Sequence, residues 1–95
     1  MNAKWICPAI TPFCADGTID YESAARFYEH LIANEIDGVL IGGSLGEFFG
    51  QTLTQREEIA RFAVKQIAGR MKVIIGTANM IAEQIAPLSN ACLDA

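Results

Sequence analysis

The turn with the sequence GGSLGE, residues 42–47, combines three glycines with a hydroxyl group and a carboxyl group. Glycines in such a turn allow backbone N–H groups to converge on an anion, and the hydroxyl group of Ser44 would add a further donor. The same residues have a purely structural interpretation, in which the glycines reverse the chain and Ser44 caps a short helix. The turn has neither the Gly-Lys-Ser/Thr of a P-loop nor the spacing of GxGxxG, so a small carboxylate suits it better than a pyrophosphate.

Three apolar segments are predicted to be buried parallel strands, at residues 5–10, 37–42 and 71–76. The second and third are continuous aliphatic runs, which are typical of strands covered on both faces. The first contains Pro8, which cannot donate to a ladder, so its pairing must be one-sided or begin after that residue. The strands begin about 33 residues apart and alternate with helical patterns, which is the spacing of repeated βα units with right-handed crossovers.

Amphipathic patterns predict three helices, at residues 21–34, 55–68 and 80–93. Asp20 is a suitable N-cap for the first, and Asn34 is expected to end it in the left-handed conformation. Thr54 and Glu57 are predicted to form a capping box at the start of the second. Pro87 lies inside the third pattern, where we expect a kink or a restart.

Each predicted strand is followed by a turn that contains Ser or Thr, in the sequences ITPF, GGSLGE and GTAN. In open α/β sheets and in barrels, ligands bind at the carboxyl ends of parallel strands. Because these three turns share one edge of the predicted sheet, a binding site is expected there.

Five blocks of the sequence occur in the order typical of one enzyme family: PAITPF, DGTID, IDGVLIGGSLGE, LTQRE and VIIGT. From about residue 7 to its end, the chain resembles the dihydrodipicolinate synthase / N-acetylneuraminate lyase family of class I Schiff-base aldolases. The resemblance implies an α/β fold with parallel strands, in which residues 1–95 form the first three βα units of a (β/α)8 TIM barrel. It also implies pyruvate or another 2-keto acid as substrate, no cofactor and no metal, and a homo-oligomer, which is a tetramer or a dimer in the family.

The family's Gly-Thr/Ser-Thr-Gly-Glu motif falls on Gly43, Ser44, Leu45, Gly46 and Glu47. In the family, both hydroxyl residues hold the carboxylate of the keto acid, and the first also joins a tyrosine proton relay. The resemblance therefore implies that Gly43, Ser44 and Leu45 bind substrate and that Ser44 is catalytic. Leu45 lacks the second hydroxyl group, and since a hydrogen bond to a charged group contributes roughly 1.5–3 kcal/mol, binding should weaken or the substrate should differ. Thr11 matches the family's Thr-Pro at the end of strand one. It is expected to line the mouth of the same site, at the carboxyl ends of the strands.

The Schiff-base lysine of the family comes from strand six and the relay tyrosine from strand five, so neither is expected in this chain. Lys72 opens the third predicted strand and would lie roughly 16 Å from the mouth, at about 3.3 Å per residue. We therefore expect an N-terminal fragment that is inactive alone, from a pyruvate-dependent aldolase or lyase similar to 4-hydroxy-tetrahydrodipicolinate synthase. N-acetylneuraminate lyase and 2-keto-3-deoxy sugar acid aldolases are alternatives. A hypothesis of another class is a non-catalytic assembly fragment that completes a barrel with a partner.

Composition restricts the other partners of this 95-residue chain. Its net charge is −4 and its seven Lys and Arg residues are scattered, which argues against nucleic acid. Its apolar runs are shorter than the roughly 18 residues of a membrane span, and its N-terminus is a poor signal peptide, so we expect no membrane partner and a cytoplasmic protein. Cys7, Cys14 and Cys92 lie in apolar surroundings without a CxxC pair, which predicts buried free thiols rather than a metal site or a disulfide.

Overall fold

The computed structural model describes residues 5–47, 50–77 and 85–93, apart from the side chains of Ser44, Ile85 and Cys92. Its elements, in chain order, are β1 (Ile6–Pro8), α1 (Tyr21–Ala33), β2 (Gly38–Ile41), α2 (Leu53–Ile67), β3 (Lys72–Ile75) and α3 (Ile85–Leu93). A single 3₁₀ turn, Ser44–Gly46, follows β2. Each strand lies within its predicted segment but is shorter, because only the middle of each apolar run takes part in the ladder.

The three strands form one parallel sheet in the order β1-β2-β3. In the register of the sheet, Gly38 of β2 pairs with Ile6 of β1 on one side and with Lys72 of β3 on the other. Pro8 is accommodated because β1 pairs only with β2 among the described strands, and the ladder continues with the N–H of Ala9 donating to the Leu40 carbonyl at 2.9 Å. Parallel strands joined through helices confirm the predicted α/β class.

One face of the sheet is buried beneath α1 and α2. Val39 of β2 is 0% exposed and lies in the same apolar cluster as Tyr28 of α1, which is 1% exposed, and Ala63 of α2. The Tyr28 ring lies 6.3 Å from the ring of Phe62, centroid to centroid. Burial raises the pKa of Tyr28 to about 12, because the phenolate would lose its hydration there.

The first helix begins at Tyr21 as predicted and ends at Ala33, one residue before the predicted end at Asn34. The Asp20 carboxylate accepts the N–H of Ser23 at 3.1 Å, which confirms the N-cap. Asn34 was expected to be left-handed, and this is wrong: its φ is −96°, whereas Glu35 has φ 58°. Both the backbone N–H and the side-chain amide of Asn34 donate to the His30 carbonyl, at 3.1 and 2.8 Å, and this holds Asn34 on the helical side of the cap.

The capping box predicted from Thr54 and Glu57 is also wrong. Thr52 is the N-cap of α2: its hydroxyl accepts the Gln55 N–H at 3.1 Å, and the Gln55 side-chain oxygen accepts the Thr52 N–H at 3.0 Å. The observed pair, Thr52 and Gln55, and the predicted pair, Thr54 and Glu57, both have the spacing of a capping box. Gln can take the second position of the box as well as Glu. The helix therefore starts at Leu53, two residues before the predicted start.

The surface position of Cys14 overturns part of the cysteine prediction. Cys7 is half-buried, but Cys14 is exposed because it lies in the loop after β1, where its N–H donates to the Thr18 carbonyl at 2.7 Å. The Cys92 side chain lies outside the described part of the structure. None of the described helices is long and apolar enough to cross a membrane.

The predicted start of the third helix lies outside the described residues. Pro87 is the third residue of α3 as the structure describes this helix. Residues 78–84, where the predicted kink or restart would be visible, are not among those described.

Candidate functional site

The chain leaves β2 through a turn whose two ends are both left-handed. Gly42 has φ 79° and Glu47 has φ 59°. Between them, Ser44–Gly46 forms the 3₁₀ turn, closed by the Gly46 N–H donating to the Gly43 carbonyl at 3.1 Å. The N–H groups at the start of such a turn have no partner within it, so those of Ser44 and Leu45 are the donors that the turn can offer to a ligand.

The loop after β1 lies directly against this turn. A Cβ atom at Gly46 would lie 3.1 Å from the Ala9 carbonyl oxygen and 3.2 Å from Thr11 Oγ1. A side chain at this position would therefore crowd the Ala9 backbone, and glycine lets the two segments approach without that strain. Thr11, which is 8% exposed, is therefore adjacent to the turn at the carboxyl ends of β1 and β2.

Gln51 joins these two segments. Its Nε2 donates to the Gly46 carbonyl at 2.7 Å and to Thr11 Oγ1 at 3.2 Å. The turn is thus attached to Thr11 by a side chain that comes just before the N-cap of α2.

The end of β3 meets the start of the same turn. The Gly76 N–H donates to the Ile41 carbonyl at 2.7 Å, and a Cβ atom at Gly76 would lie 2.8 Å from the Gly42 carbonyl oxygen. Arg56 of α2, which is 4% exposed, donates from Nη2 to the Gly76 carbonyl at 3.0 Å. A buried guanidinium group therefore helps to fix the two strand ends beneath the turn.

The predicted site residues differ in what they present at this edge. Gly43 is half-buried, and a Cβ atom there would lie 3.2 Å from the Leu40 side chain, whereas Leu45 is 60% exposed. The backbone of Ser44 lies within the 3₁₀ turn, and its side chain is outside the part that the structure describes. The structure therefore brings Thr11 together with the backbone of residues 43–46.

The lysines that the structure describes lie away from this edge. Lys72 is exposed at the amino end of β3, and Lys65 is exposed on α2. Lys4 lies outside the described residues. Among the described residues, no group of three or more His, Cys, Asp or Glu side chains could hold a metal ion.

The DGTID block builds the loop that leads from this edge to α1. The Asp16 carboxylate accepts the backbone N–H of Thr18 at 3.0 Å and its hydroxyl at 2.6 Å, and these hydrogen bonds lower the pKa of Asp16. Phe13 and Ile19 form an antiparallel bridge across the loop, and the N–H of Asp20 donates to the Pro12 carbonyl at 2.9 Å. The contacts of this block hold the loop that carries Thr11.

Sequence reasoning missed Gln51 and Arg56. Arg56 lies on the buried stripe of α2 with Ile59, Ala60 and Ala63, and a cation on an apolar stripe was a signal that could have found it. Gln51 gave no comparable signal, because its two partners are 5 and 40 residues away in the chain.

Comparison with known proteins decides the family. Residues 1–90 match the model described as the dihydrodipicolinate synthetase family. The chain belongs to this family. The prediction made from the five sequence blocks is confirmed.

Relatives in the family share both sequence and structure with this chain. The 4-hydroxy-tetrahydrodipicolinate synthase of Thermosynechococcus vestitus is 46% identical over 74 residues, which are 76% of this chain and 24% of that protein. A prophage protein of the dihydrodipicolinic acid synthase family from E. coli K12, solved in complex with pyruvate, is 34% identical with a TM-score of 0.94, over 99% of this chain and 32% of that chain. The N-acetylneuraminate lyase of Proteus mirabilis is 27% identical with a TM-score of 0.90, and the match covers 94% of this chain and 30% of that chain.

These structural neighbours are TIM-barrel enzymes, and the chain corresponds to their N-terminal portion. The predicted fold class, the first three βα units of a (β/α)8 barrel, is therefore confirmed. The chain spans about a quarter of the length of the curated relatives and about a third of the solved chains.

Proposed function

We propose that this family member acts on pyruvate or a related 2-keto acid and that Thr11 and residues 43–46 form the carboxylate-binding part of its active site. The observation that carries the proposal is the contact between Thr11 and the turn at the carboxyl ends of β1 and β2. Barrel enzymes place their active sites at that end of the strands. The neighbour from E. coli K12, solved with pyruvate, supports a keto acid as the ligand.

In this proposal, the residues of the chain bind and orient the substrate. The N–H groups of Ser44 and Leu45 donate to the carboxylate, and the Ser44 hydroxyl adds a third donor and joins a tyrosine proton relay. Donors to a charged carboxylate contribute roughly 1.5–3 kcal/mol each, which is enough to select an acid over an uncharged ketone. Leu45 contributes only its N–H.

The covalent step is assigned to a lysine that the described part of the chain does not supply. A neutral lysine amine adds to the keto carbon, and with one proton supplied through the tyrosine relay the carbonyl oxygen leaves as water, which gives a protonated imine. Loss of a proton from the adjacent carbon then gives the enamine, which attacks the aldehyde in the condensation. In the cleavage direction, breaking the carbon–carbon bond produces the same enamine. Such a lysine must be held in a desolvated pocket. Lys65 and Lys72 are both exposed, and Lys72 is at the opposite end of its strand.

Two reaction classes within the family fit this site. The curated relatives favour a condensation like that of 4-hydroxy-tetrahydrodipicolinate synthase. The exposed Leu45, in place of the family's second hydroxyl residue, favours a separate substrate branch. N-acetylneuraminate lyase and 2-keto-3-deoxy sugar acid aldolase are the alternatives within the family, and because the motif belongs to the whole family, Leu45 does not choose between them. In either case the protein would work as a homo-oligomer, as the family resemblance implies, and in the cytoplasm, as the sequence of its N-terminus predicts.

A hybrid protein tests the proposal. In it, residues 1–90 of this chain replace the matching segment of the Thermosynechococcus vestitus synthase, with the unmodified synthase as the positive control. We expect pyruvate and borohydride to leave a stable mass increase on the hybrid. Ser44→Ala should raise the KM for pyruvate and lower kcat, whereas Ser89→Ala, on α3, should change neither.

Two results would contradict the proposal. One is a hybrid that folds, by circular dichroism, but traps no pyruvate, which is the outcome that the non-catalytic assembly hypothesis predicts. The other is a trapping hybrid in which Ser44→Ala has no more effect than Ser89→Ala.

A further inference from the structure

The hydrogen bonds of Gln51 have a direction that the partner groups determine. A backbone carbonyl can only accept, so the atom of Gln51 that lies 2.7 Å from the Gly46 oxygen must belong to the NH₂ group. The same nitrogen lies 3.2 Å from Thr11 Oγ1. The Thr11 hydroxyl is therefore the acceptor in this second hydrogen bond.

This direction determines what Thr11 can do. A hydroxyl group has one proton to donate and two lone pairs that accept. Since Gln51 occupies a lone pair, the proton of Thr11 is directed to another acceptor. At the carboxyl end of β1, beside the turn, that acceptor can be a bound anion.

The other end of the Gln51 amide supports the same interpretation. Its Oε1 is buried, and no donor reaches it within the part of the chain that the structure describes. An unsatisfied buried acceptor is unfavourable, and a leucine of similar size would avoid it. The amide at this position therefore serves the two hydrogen bonds that it donates.

Building on the proposed function, we infer that Gln51 is a positioning residue that holds Thr11 as a hydrogen-bond donor to the keto acid. Gln51 acts through Thr11 and through the Gly46 carbonyl, and does not itself touch the substrate.

Reversing the hydrogen bond in the hybrid protein tests this role. An ionised Glu at position 51 can only accept, so in Gln51→Glu the Thr11 proton would turn towards the new carboxylate and be lost to the substrate. We expect the KM for pyruvate to rise about tenfold or more, with kcat within about threefold. Gln55→Glu is the matched control: it adds the same charge four residues away, where the carboxylate accepts the Thr52 N–H as the amide does, and KM should change less than about twofold.

A double-mutant cycle separates the hydrogen bond from the added charge. Thr11→Val alone should also raise KM about tenfold, and Gln51→Glu should raise it by a clearly smaller factor in the Thr11→Val background than in the parent, the remainder being the loss of the bond to the Gly46 carbonyl. An equal effect of Gln51→Glu in both backgrounds, or no effect in either, overturns the role of Gln51 while leaving the proposed function intact. A folded hybrid that traps no pyruvate overturns the proposed function instead.

The 95-residue chain provides a second measurement if the hybrid does not fold. Pyruvate is titrated into the chain and its variants, and the Kd is obtained from the amide signal of Gly46. The same non-additive pattern of Kd supports the role of Gln51, and additive or absent effects overturn it.

Discussion

Leu45 is the residue at which the turn departs from the motif of its family. Its side chain is 60% exposed, so a smaller polar residue can replace it without leaving a cavity. The backbone of the 3₁₀ turn already places its N–H beside that of Ser44. What the position lacks is a second hydroxyl group.

We predict that Leu45→Thr lowers the KM for pyruvate in the hybrid protein by about tenfold, with kcat nearly unchanged. The reason is that one added hydrogen bond to a carboxylate contributes roughly 1.5 kcal/mol. Steady-state kinetics measures the change, and Leu93→Thr, at an 84% exposed position on α3, is the matched control. An unchanged KM in Leu45→Thr would show that this position does not face the carboxylate.

The buried phenol of Tyr28 makes the stability of the chain sensitive to alkaline pH. Its pKa is raised to about 12 in the folded chain by burial, against about 10 in the unfolded chain. The folded state therefore holds its proton more tightly, and stability is fully present below pH 10 and lost as the pH rises towards 12. We predict a loss of about 1 kcal/mol at pH 11 from this group. Urea unfolding at pH 8 and pH 11 measures it, and Tyr28→Phe should remove this part of the loss; an unchanged pH dependence in that variant would contradict the prediction.

At the scale of the elements, the start of α2 depends on a choice between two overlapping capping boxes. Thr52 with Gln55 and Thr54 with Glu57 have the same spacing, so local sequence does not separate them. The hydrogen bonds of Gln51 to Thr11 and Gly46, one residue before Thr52, fix the chain at the earlier box. Tertiary contacts thus decide the boundary.

We predict that Thr52→Ala destabilises the chain by about 1 kcal/mol, because the N–H of Gln55 loses its acceptor. Thr54→Ala should change the free energy of unfolding by less than about 0.5 kcal/mol, since Thr54 is exposed within the first turn. Urea denaturation of both variants measures the difference. A larger loss in Thr54→Ala than in Thr52→Ala would mean that the helix starts at the later box.

Most of the correct sequence predictions depend on short-range interactions, although the Asn34 prediction failed on bonds to His30, only four residues away. The strands and the Asp20 cap depend on residues close in sequence, and their placement could be read from apolar runs and spacing. That Thr11 meets the turn followed from parallel topology alone, because both follow strands at the same edge of the sheet. Gln51 and Arg56 were missed because their side chains bond across 40 and 20 residues, to partners that only the folded chain brings near.

At the scale of the whole molecule, the described elements cover the sheet unequally. Cys7 and Val39 lie on the face covered by the helices, within or against the apolar cluster. The alternate residues Ile6 and Pro8 are exposed, and Leu40 is half-buried. In a closed barrel this second face points inward and is filled by side chains from the other strands. In the proposed function, the remaining walls of the keto-acid site would therefore come from that interior.

We predict that the purified 95-residue chain forms no borohydride-stable adduct with pyruvate. A lysine becomes a nucleophile in a desolvated pocket, and Lys65 and Lys72 are both exposed. Lys72 also lies at the amino end of β3, and Thr77, in the turn after that strand, is five residues further on, which is roughly 16 Å at about 3.3 Å per residue. Intact-mass measurement after reduction tests this, with the hybrid protein treated in parallel as the control that should react. A pyruvate-dependent mass increase on the chain alone, located to one lysine by peptide mapping, would mean that these three βα units carry the nucleophile themselves.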